Sequence, residues 1–381
     1  MVLKILHLSD GSLPDWRIEK AAISSKNRGH KVYFAGSTPE PSYTRDVFSQ
    51  IYNLKWNPKA RYKLPYQWHI LKKQMNKVLA EVRPDIIHAH NVFSAKMAKE
   101  INAYPVVYDN HEYWSKFLIY QYESSTGLGY DHTDGIDQIK RNITTLGNQI
   151  KKNLRKMWIE WEQEIITRYP SLVPSVSIKS DLSKISNKVF LLPNFPLKSE
   201  IERIEPPKRH DHFSSVYAGT SPFKGYQTPI KNIDGFIDLF DKGSLGKLSV
   251  IGWTCSDSEF IKYHGFMDRK DMFNEMEKNS AGFIPWKKHP FHRFCSPNKA
   301  FEYAHAGLIV LSTNSLQPIF DSLQDNVVGF DDYVDMVDKV KNLLSDLEQV
   351  FVKRLKTYEF ARSNLLWENY EDNIFEAYRL A

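Results

Sequence analysis

Residues 2–34 read VLKILHLSDGSLPDWRIEKAAISSKNRGHKVYF, and this stretch decides the fold class. Residues 2–8 form a short apolar run of strand length, followed by a Ser-Asp-Gly-Ser loop and a helical stretch from about Asp15 to Arg28. Gly29 ends that helix, because glycine adopts the left-handed backbone of a helix stop without steric cost. Lys31–Phe34 is the next strand. A strand that recurs after one helix is the unit from which parallel sheets are built.

The same alternation runs outward along the chain. Asp85–His88, after Arg83-Pro84, reads as a strand leading into the loop His88-Ala89-His90-Asn91. Val106–Tyr108 reads as another, ending at Asp109-Asn110-His111-Glu112. A long helical stretch is expected over 136–168, with short strands near Leu172 and at Val189–Leu192. Pro193 to Arg209 is rich in proline and charge and reads as a linker. The pattern then restarts, with strands at Ser215–Tyr217, Lys247–Ile251, Gly282–Pro285 and Leu308–Leu311. The fold class is therefore α/β, with two doubly wound Rossmann-like domains whose ligands bind at the carboxyl ends of the strands.

Composition fits this reading. The 381 residues suffice for two domains, and 42% hydrophobic with 25% charged residues is ordinary for globular chains. No run of about 18 apolar residues occurs, so a membrane span is not expected. Lys4, His7 and Asp10 come too early for a signal peptide, and Cys255 and Cys295 form no metal or redox pattern. A cytoplasmic setting is expected. The first strand is not followed by Gly-x-Gly-x-x-Gly, and Gly-x4-Gly-Lys-Ser/Thr does not occur, which argues against a dinucleotide dehydrogenase and a P-loop enzyme.

Residues 293–307, Arg293 to Gly307, carry the densest chemistry. Ser296 is a good N-cap and Pro297 suits a first helical position. The turn at Phe294, Cys295 and Ser296 then offers backbone N–H groups and the positive end of the helix dipole to an anion. Lys299 and Glu302 lie three apart and share a helical face. This set suits a nucleotide diphosphate, with phosphates on the donors and ribose hydroxyls on Glu302. By itself it also fits an ordinary capped helix with one ion pair. Asp331-Asp332 reads as a solvated turn, and no metal site is expected.

Charge is uneven. Residues 1–196 hold 28 Lys+Arg against 18 Asp+Glu, and residues 197–381 hold 23 against 27. Residues 47–80 contain Lys55, Lys59, Arg61, Lys63, Lys72, Lys73 and Lys77 with no acid, interleaved with Trp56, Tyr62, Tyr66 and Trp68. Residues 138–159 are likewise basic and free of acid. Such a face attracts anionic lipid or a phosphorylated substrate, and a basic surface that only aids solubility has the same pattern. No nucleic-acid motif accompanies it.

Pro84 to His90, Tyr108 to Glu112, Leu192-Pro193-Asn194, Tyr217-Ala218-Gly219, Lys224-Gly225, His264-Gly265-Phe266 and Pro297 to Gly307 follow one another in this order. Together they resemble the corresponding segments of the GT-B fold glycosyltransferases, close to glycosyltransferase family 4, the retaining nucleotide-sugar enzymes. The resemblance implies an acceptor-side domain over 1–196, a nucleotide-sugar domain over 197–365, and a helix over 366–381 that returns to the first domain. The two domains are expected to face a central cleft. Glu302 aligns with the second glutamate of the family's Glu-x7-Glu motif, which binds the donor ribose. The first glutamate would fall at Phe294, and related transferases with a Pro-x-Lys-x-Phe-Glu sequence also lack it, so a variant subgroup is expected.

By the same alignment Lys224 neutralises the diphosphate leaving group, with Thr220 where an arginine often stands, and Lys299 supplies a second positive charge. His111 contacts the transferred sugar. Gly11, Gly219 and Phe266 join Phe294, Cys295, Ser296 and Glu302 as donor-binding positions. Lys59, Arg61, Lys63, Trp68, Lys72 and Lys73 are assigned to the acceptor or membrane face. The implied reaction moves a sugar from a UDP- or GDP-type donor to a glycan or polyprenyl-linked acceptor, with retention and without a metal or other cofactor. It would proceed in the cytoplasm, at the inner face of a membrane. Two other readings stay open: an epimerase or hydrolase on the same fold, and a catalytically silent nucleotide- or glycan-binding partner subunit, which Phe294 keeps in play.

Overall fold

The computed structural model describes residues 2–40, 46–56, 66–117, 152–153, 156–219 and 229–381. Lys59, Arg61, Lys63, Thr220 and Lys224 lie outside the described residues, as does most of the second basic stretch. The chain forms two compact units: Met1–Leu192 together with Tyr370–Ala381, and Pro193–Asn369.

The first unit is a seven-stranded sheet built from β1 (Lys4–Ser9), β2 (Lys31–Gly36), β3 (Gln50–Asn53), β4 (Ile86–His90), β5 (Val106–Asp109), β6 (Ser171–Val173) and β7 (Val189–Leu191). Their order is β3-β2-β1-β4-β5-β6-β7, and every pairing is parallel. Central strands β4 and β5 are buried throughout, as strands covered by helices on both faces must be. The helix Trp16–Asn27 links β1 to β2. It begins where the Asp15 carboxylate accepts from the Arg17 and Ile18 amides, and Gly29, at φ 82°, turns the chain out of it.

The second unit holds β8 (Ser214–Ala218), β9 (Lys247–Ile251), β10 (Ile261–Tyr263), β11 (Ala281–Ile284), β12 (Ile309–Thr313) and β13 (Val327–Phe330). Their order is β10-β9-β8-β11-β12-β13, again parallel throughout. In both sheets the order reverses direction at one place, β1 beside β4 and β8 beside β11. Connections on the two sides of that place leave in opposite directions, so the loops part and open a crevice at the carboxyl ends.

Some local expectations change. The His88-Ala89-His90 segment is the end of strand β4 and not a loop, and a helix starts at once with Asn91–Ile101. Burial of all five β4 residues outweighs the polarity of the two imidazoles. The described part of the expected 136–168 helix is helical over 156–168. The linker segment carries a short helix, Lys198–Ile201, within the second unit. The helix Asp372–Arg379 packs on β5, β6 and β7 of the first unit through Ile374, Phe375, Ala377 and Tyr378. Among the described residues no helix is long and apolar enough to cross a membrane.

Candidate active site

In the second unit the crevice between β8 and β11 is built around Lys299. Gly219 follows β8, and a Cβ added to it would lie 2.7 Å from Lys299 Nζ and 2.6 Å from Tyr217 Oη, so a larger residue there would push the ammonium from its place. The Lys299 ammonium sits 4.6 Å from the Tyr217 ring centroid and 5.6 Å from that of Trp286. Lys231 approaches Trp286 at 5.7 Å. Burial, together with the charge of Lys231, brings the Lys299 pKa down to about 7 against a smaller opposing pull from Glu302. A cation held this way is poorly solvated and gains most when an anion arrives.

Glu302, one turn along the helix Asn298–His305, does not pair with Lys299. Its Oε1 accepts from the Arg269 guanidinium at 2.7 Å, and Arg269 also reaches Glu200 at 3.1 Å. Arg269 opens the helix Arg269–Met276, capped by Asp268, and nothing in its sequence context marked it as a neighbour of Glu302. The capping expectation is corrected too. Pro297 occupies the N-cap position and Ser296 caps nothing. Phe294 is buried at the end of the short 3-10 helix Pro290–Phe294, and the Cys295 amide already donates to the His292 carbonyl. The Cys295 amide is therefore committed inside the protein, and of that turn Lys299 and Glu302 are what the structure brings to one face. Phe266, beside Gly265 at the carboxyl end of β10, is 93% exposed. Asp332 caps the helix Tyr333–Leu344, in keeping with a turn at Asp331-Asp332.

In the first unit the crevice between β1 and β4 is lined by imidazoles. Strand alternation sends His7 to one face of β1 and both His88 and His90 to the same face of β4. The three rings stack, with centroids 4.9 Å apart for His7 and His88 and 4.5 Å for His88 and His90. Asp109 ends β5 beside them, and its Oδ2 faces His88 Nε2, His90 Nδ1 and His111 Nε2 at 3.5, 3.3 and 3.5 Å. Its Oδ1 accepts two bonds from Arg17, at 2.8 and 2.6 Å. His88 Nδ1 meets the Tyr378 hydroxyl at 2.8 Å. Gly11, after β1, donates to Ser9 Oγ at 3.0 Å.

Burial holds His7, His88 and His90 below the ordinary histidine pKa, and neighbouring charges add to this for His7 and His90, so these rings are neutral at pH 7. Burial would raise the Asp109 carboxyl, but Arg17 and His111 outweigh it and keep it ionised. His90, Asp109 and His111 bring ligand atoms within 4.8 Å of one another, as do His7, His88 and His90. Arg17 already neutralises the carboxylate, so a divalent cation there would leave a buried excess of positive charge. Asp15 reaches His111 Nδ1 at 3.9 Å. Glu162 braces the following turn by accepting from the Ser115 amide at 2.8 Å. Sequence reasoning found His111 alone in this cluster, although the two-residue spacing of His88 and His90 was available as a signal.

The basic face is partly neutralised in space. Lys72 pairs with Glu100 at 2.8 Å, whereas Lys73 is exposed. Trp56, Trp68 and Trp161 form an edge-to-face row, with centroids 6.4 and 5.5 Å apart, and Lys96 lies 5.3 Å over Trp161.

A model of Glycosyltransferase Family 4 matches residues 22–194. Among solved structures, sucrose-phosphate synthase from Thermosynechococcus elongatus is 12% identical with a TM-score of 0.68, over 99% of this chain and 98% of that one. Anabaena HepE, solved in complex with UDP-glucose, is 11% identical with a TM-score of 0.67 over 100% of both chains. A glycosyltransferase from Rickettsia africae is 12% identical with a TM-score of 0.63, over 99% of this chain and 98% of that one. No curated protein matches the sequence. The chain has the two-sheet fold of the GT-B glycosyltransferases, and the resemblance to glycosyltransferase family 4 read from its motifs is borne out.

Proposed function

We propose that the chain is a glycosyltransferase that moves a hexosyl-type sugar from a UDP- or GDP-type donor to a glycan or lipid-linked glycan, with retention and without a metal. The observation that carries this reading is the placement of Lys299 and Glu302, each with its own neighbours, on one helix face at the β8–β11 crevice. Lys299 takes the diphosphate and Glu302 the ribose, and Lys224 adds leaving-group charge by the alignment given above. Breaking a glycosyl–phosphate bond leaves a dianion, so cations fixed before the reaction lower its barrier. HepE was solved with UDP-glucose, which supports a UDP sugar as the first donor to try.

Turnover of labelled UDP- and GDP-sugars, with and without a glycan acceptor, tests the proposal. Acceptor-dependent transfer supports it. Release of free sugar or an isomerised donor without acceptor would make it a hydrolase or epimerase. Nucleotide binding without any turnover would make it the silent partner subunit, a reading favoured by Phe294 standing buried where the family has a glutamate.

On the acceptor side, the exposed Lys73 and the tryptophan row suit the lipid–water interface, where aromatic and basic side chains both gain. This reading places the reaction on the cytoplasmic surface of a membrane. Sedimentation with anionic and neutral liposomes at low and high salt tests it, and equal recovery in the supernatant throughout would refute it.

A further inference from the structure

His111 is the outermost of three histidines joined nitrogen to nitrogen. Its Nε2 lies 3.0 Å from His90 Nδ1, and His90 Nε2 lies 3.0 Å from His7 Nδ1. A contact this short holds one proton, since two bare nitrogens or two N–H groups would repel. Each neutral imidazole carries one N–H, so only two arrangements are self-consistent. In one, His7 donates to His90, His90 donates to His111, and His111 keeps its proton on the outward Nδ1. In the other every donor reverses, and His111 turns a bare Nδ1 outward.

We infer that the first arrangement is the native one, so that His90 and Asp109 are positioning residues that make His111 Nδ1 a fixed outward hydrogen-bond donor. Two separate observations agree on it. His7 Nε2 is buried with no hydrogen-bond partner among the described residues. The reversed arrangement would put an N–H there, and an orphaned buried donor is the rarer and costlier of the two defects. Asp109 Oδ2, which accepts no hydrogen bond among the described residues, lies 3.3 Å from His90 Nδ1 and 3.5 Å from His111 Nε2, so its charge opposes a bare lone pair on either nitrogen and does not choose between the arrangements. Outside, Asp15 Oδ2 stands 3.9 Å from His111 Nδ1, where an N–H is favoured over a lone pair.

The remaining groups fit the same scheme. Arg17 occupies Asp109 Oδ1 and leaves Oδ2 to the imidazoles. His88 Nδ1 accepts from the Tyr378 hydroxyl, 2.8 Å away, which leaves its proton on Nε2, 3.5 Å from Asp109 Oδ2. The functional meaning rests on the transferase reading. His111 then donates to an oxygen of the bound sugar and is not a base in the resting protein, so its role is orientation and charge stabilisation.

Two-bond proton–nitrogen NMR of protein labelled with 15N-histidine separates the two tautomers, and His111→Asn assigns the signal. The expected result is Nδ1–H on His111 in the wild-type protein. His90→Asn, whose amide N–H takes the place of Nδ1–H, should keep it, and His90→Ala should release His111 to a mixture. An Nε2–H tautomer of His111 in the wild type would overturn the inference without any variant. So would an unchanged Nδ1–H signal in folded His90→Ala. In transfer assays His90→Ala should lower kcat about tenfold, the equivalent of one hydrogen bond, with affinity for free nucleotide intact and His90→Asn largely restored. If the wild type gives Nδ1–H but no transfer with any sugar donor, the relay stands and the transferase reading fails.

Discussion

Lys299 holds its ammonium 4.6 Å from the centre of the Tyr217 ring, at the point where β8 and β11 part. With a pKa near 7, set by burial and by Lys231, it is only partly charged in neutral solution. A bound diphosphate favours the charged form and raises that pKa. Binding therefore takes up a proton between the free and bound values, and affinity falls as pH rises above about 7. The fall approaches tenfold per pH unit, the limit for one linked proton. Calorimetry of UDP or GDP binding in two buffers of different ionisation heat should show the uptake, and Lys299→Met should abolish it. A pH-independent affinity between pH 6 and 9 would take Lys299 out of the phosphate site.

Gly219→Ala should act on the same ammonium. The added methyl meets Lys299 Nζ at 2.7 Å, and a flexible side chain yields where the backbone does not. Nucleotide affinity should drop several-fold while Tm changes little. A large loss of Tm with unchanged affinity would show that Tyr217, and not Lys299, takes the strain.

Glu302→Ala should weaken nucleotide binding by about 1.5–3 kcal/mol, the range for hydrogen bonds to a charged group. Arg269 retains Glu200 as a partner in that variant, so folding should survive. Free nucleoside, with a ribose but no phosphate, should lose affinity in the variant as well. If only phosphate-bearing ligands weaken, Glu302 is not the ribose contact.

His111→Ala should leave binding of free nucleotide unchanged and lower transfer, because the residue belongs to the first unit while Lys299 and Glu302 belong to the second. Circular dichroism and Tm close to wild type are expected, since His111 is the most exposed member of its cluster. Loss of folding would instead make it a packing residue.

Stability should fall on acidification. Burial keeps His7, His88 and His90 below the ordinary histidine pKa, and brings His292 and His305 to about 4. The unfolded chain binds protons from about 6.5 downward and the folded chain does not, so the unfolded state holds more protons throughout that window. Stability thus rises with pH there and is lost as pH falls from 6.5 towards 4, by about 1.4 kcal/mol per pH unit for each such histidine. Urea titrations at pH 7.5, 6 and 5 should give successively lower midpoints. A flat profile would mean that these rings are charged in the folded protein.

The β-α alternation was legible because parallel central strands are buried on both faces, as Ala281–Ile284 and Ile309–Thr313 illustrate. Edge strands such as Gln50–Asn53 were not, since exposure there erases the pattern. Lys299 and Glu302 were legible because helical spacing fixes their common face. Arg269, 33 positions from Glu302, and Arg17, 92 positions from Asp109, were not, because only the folded topology makes them neighbours. The misplacement of Ser296 has a local cause: Pro297 can start a helix as its N-cap with its own side chain idle, and the serine then stands outside.

The return of Tyr370–Ala381 to the first unit sets an order of events during synthesis. Pro193–Asn369 is contiguous and can close once it has left the ribosome, whereas the first unit waits for Tyr378 to cover His88. The half of the chain translated first is thus finished last. Until then His88 lacks the hydroxyl of Tyr378, and a chain ended between Asn369 and Tyr378 has a whole second unit and an incomplete first.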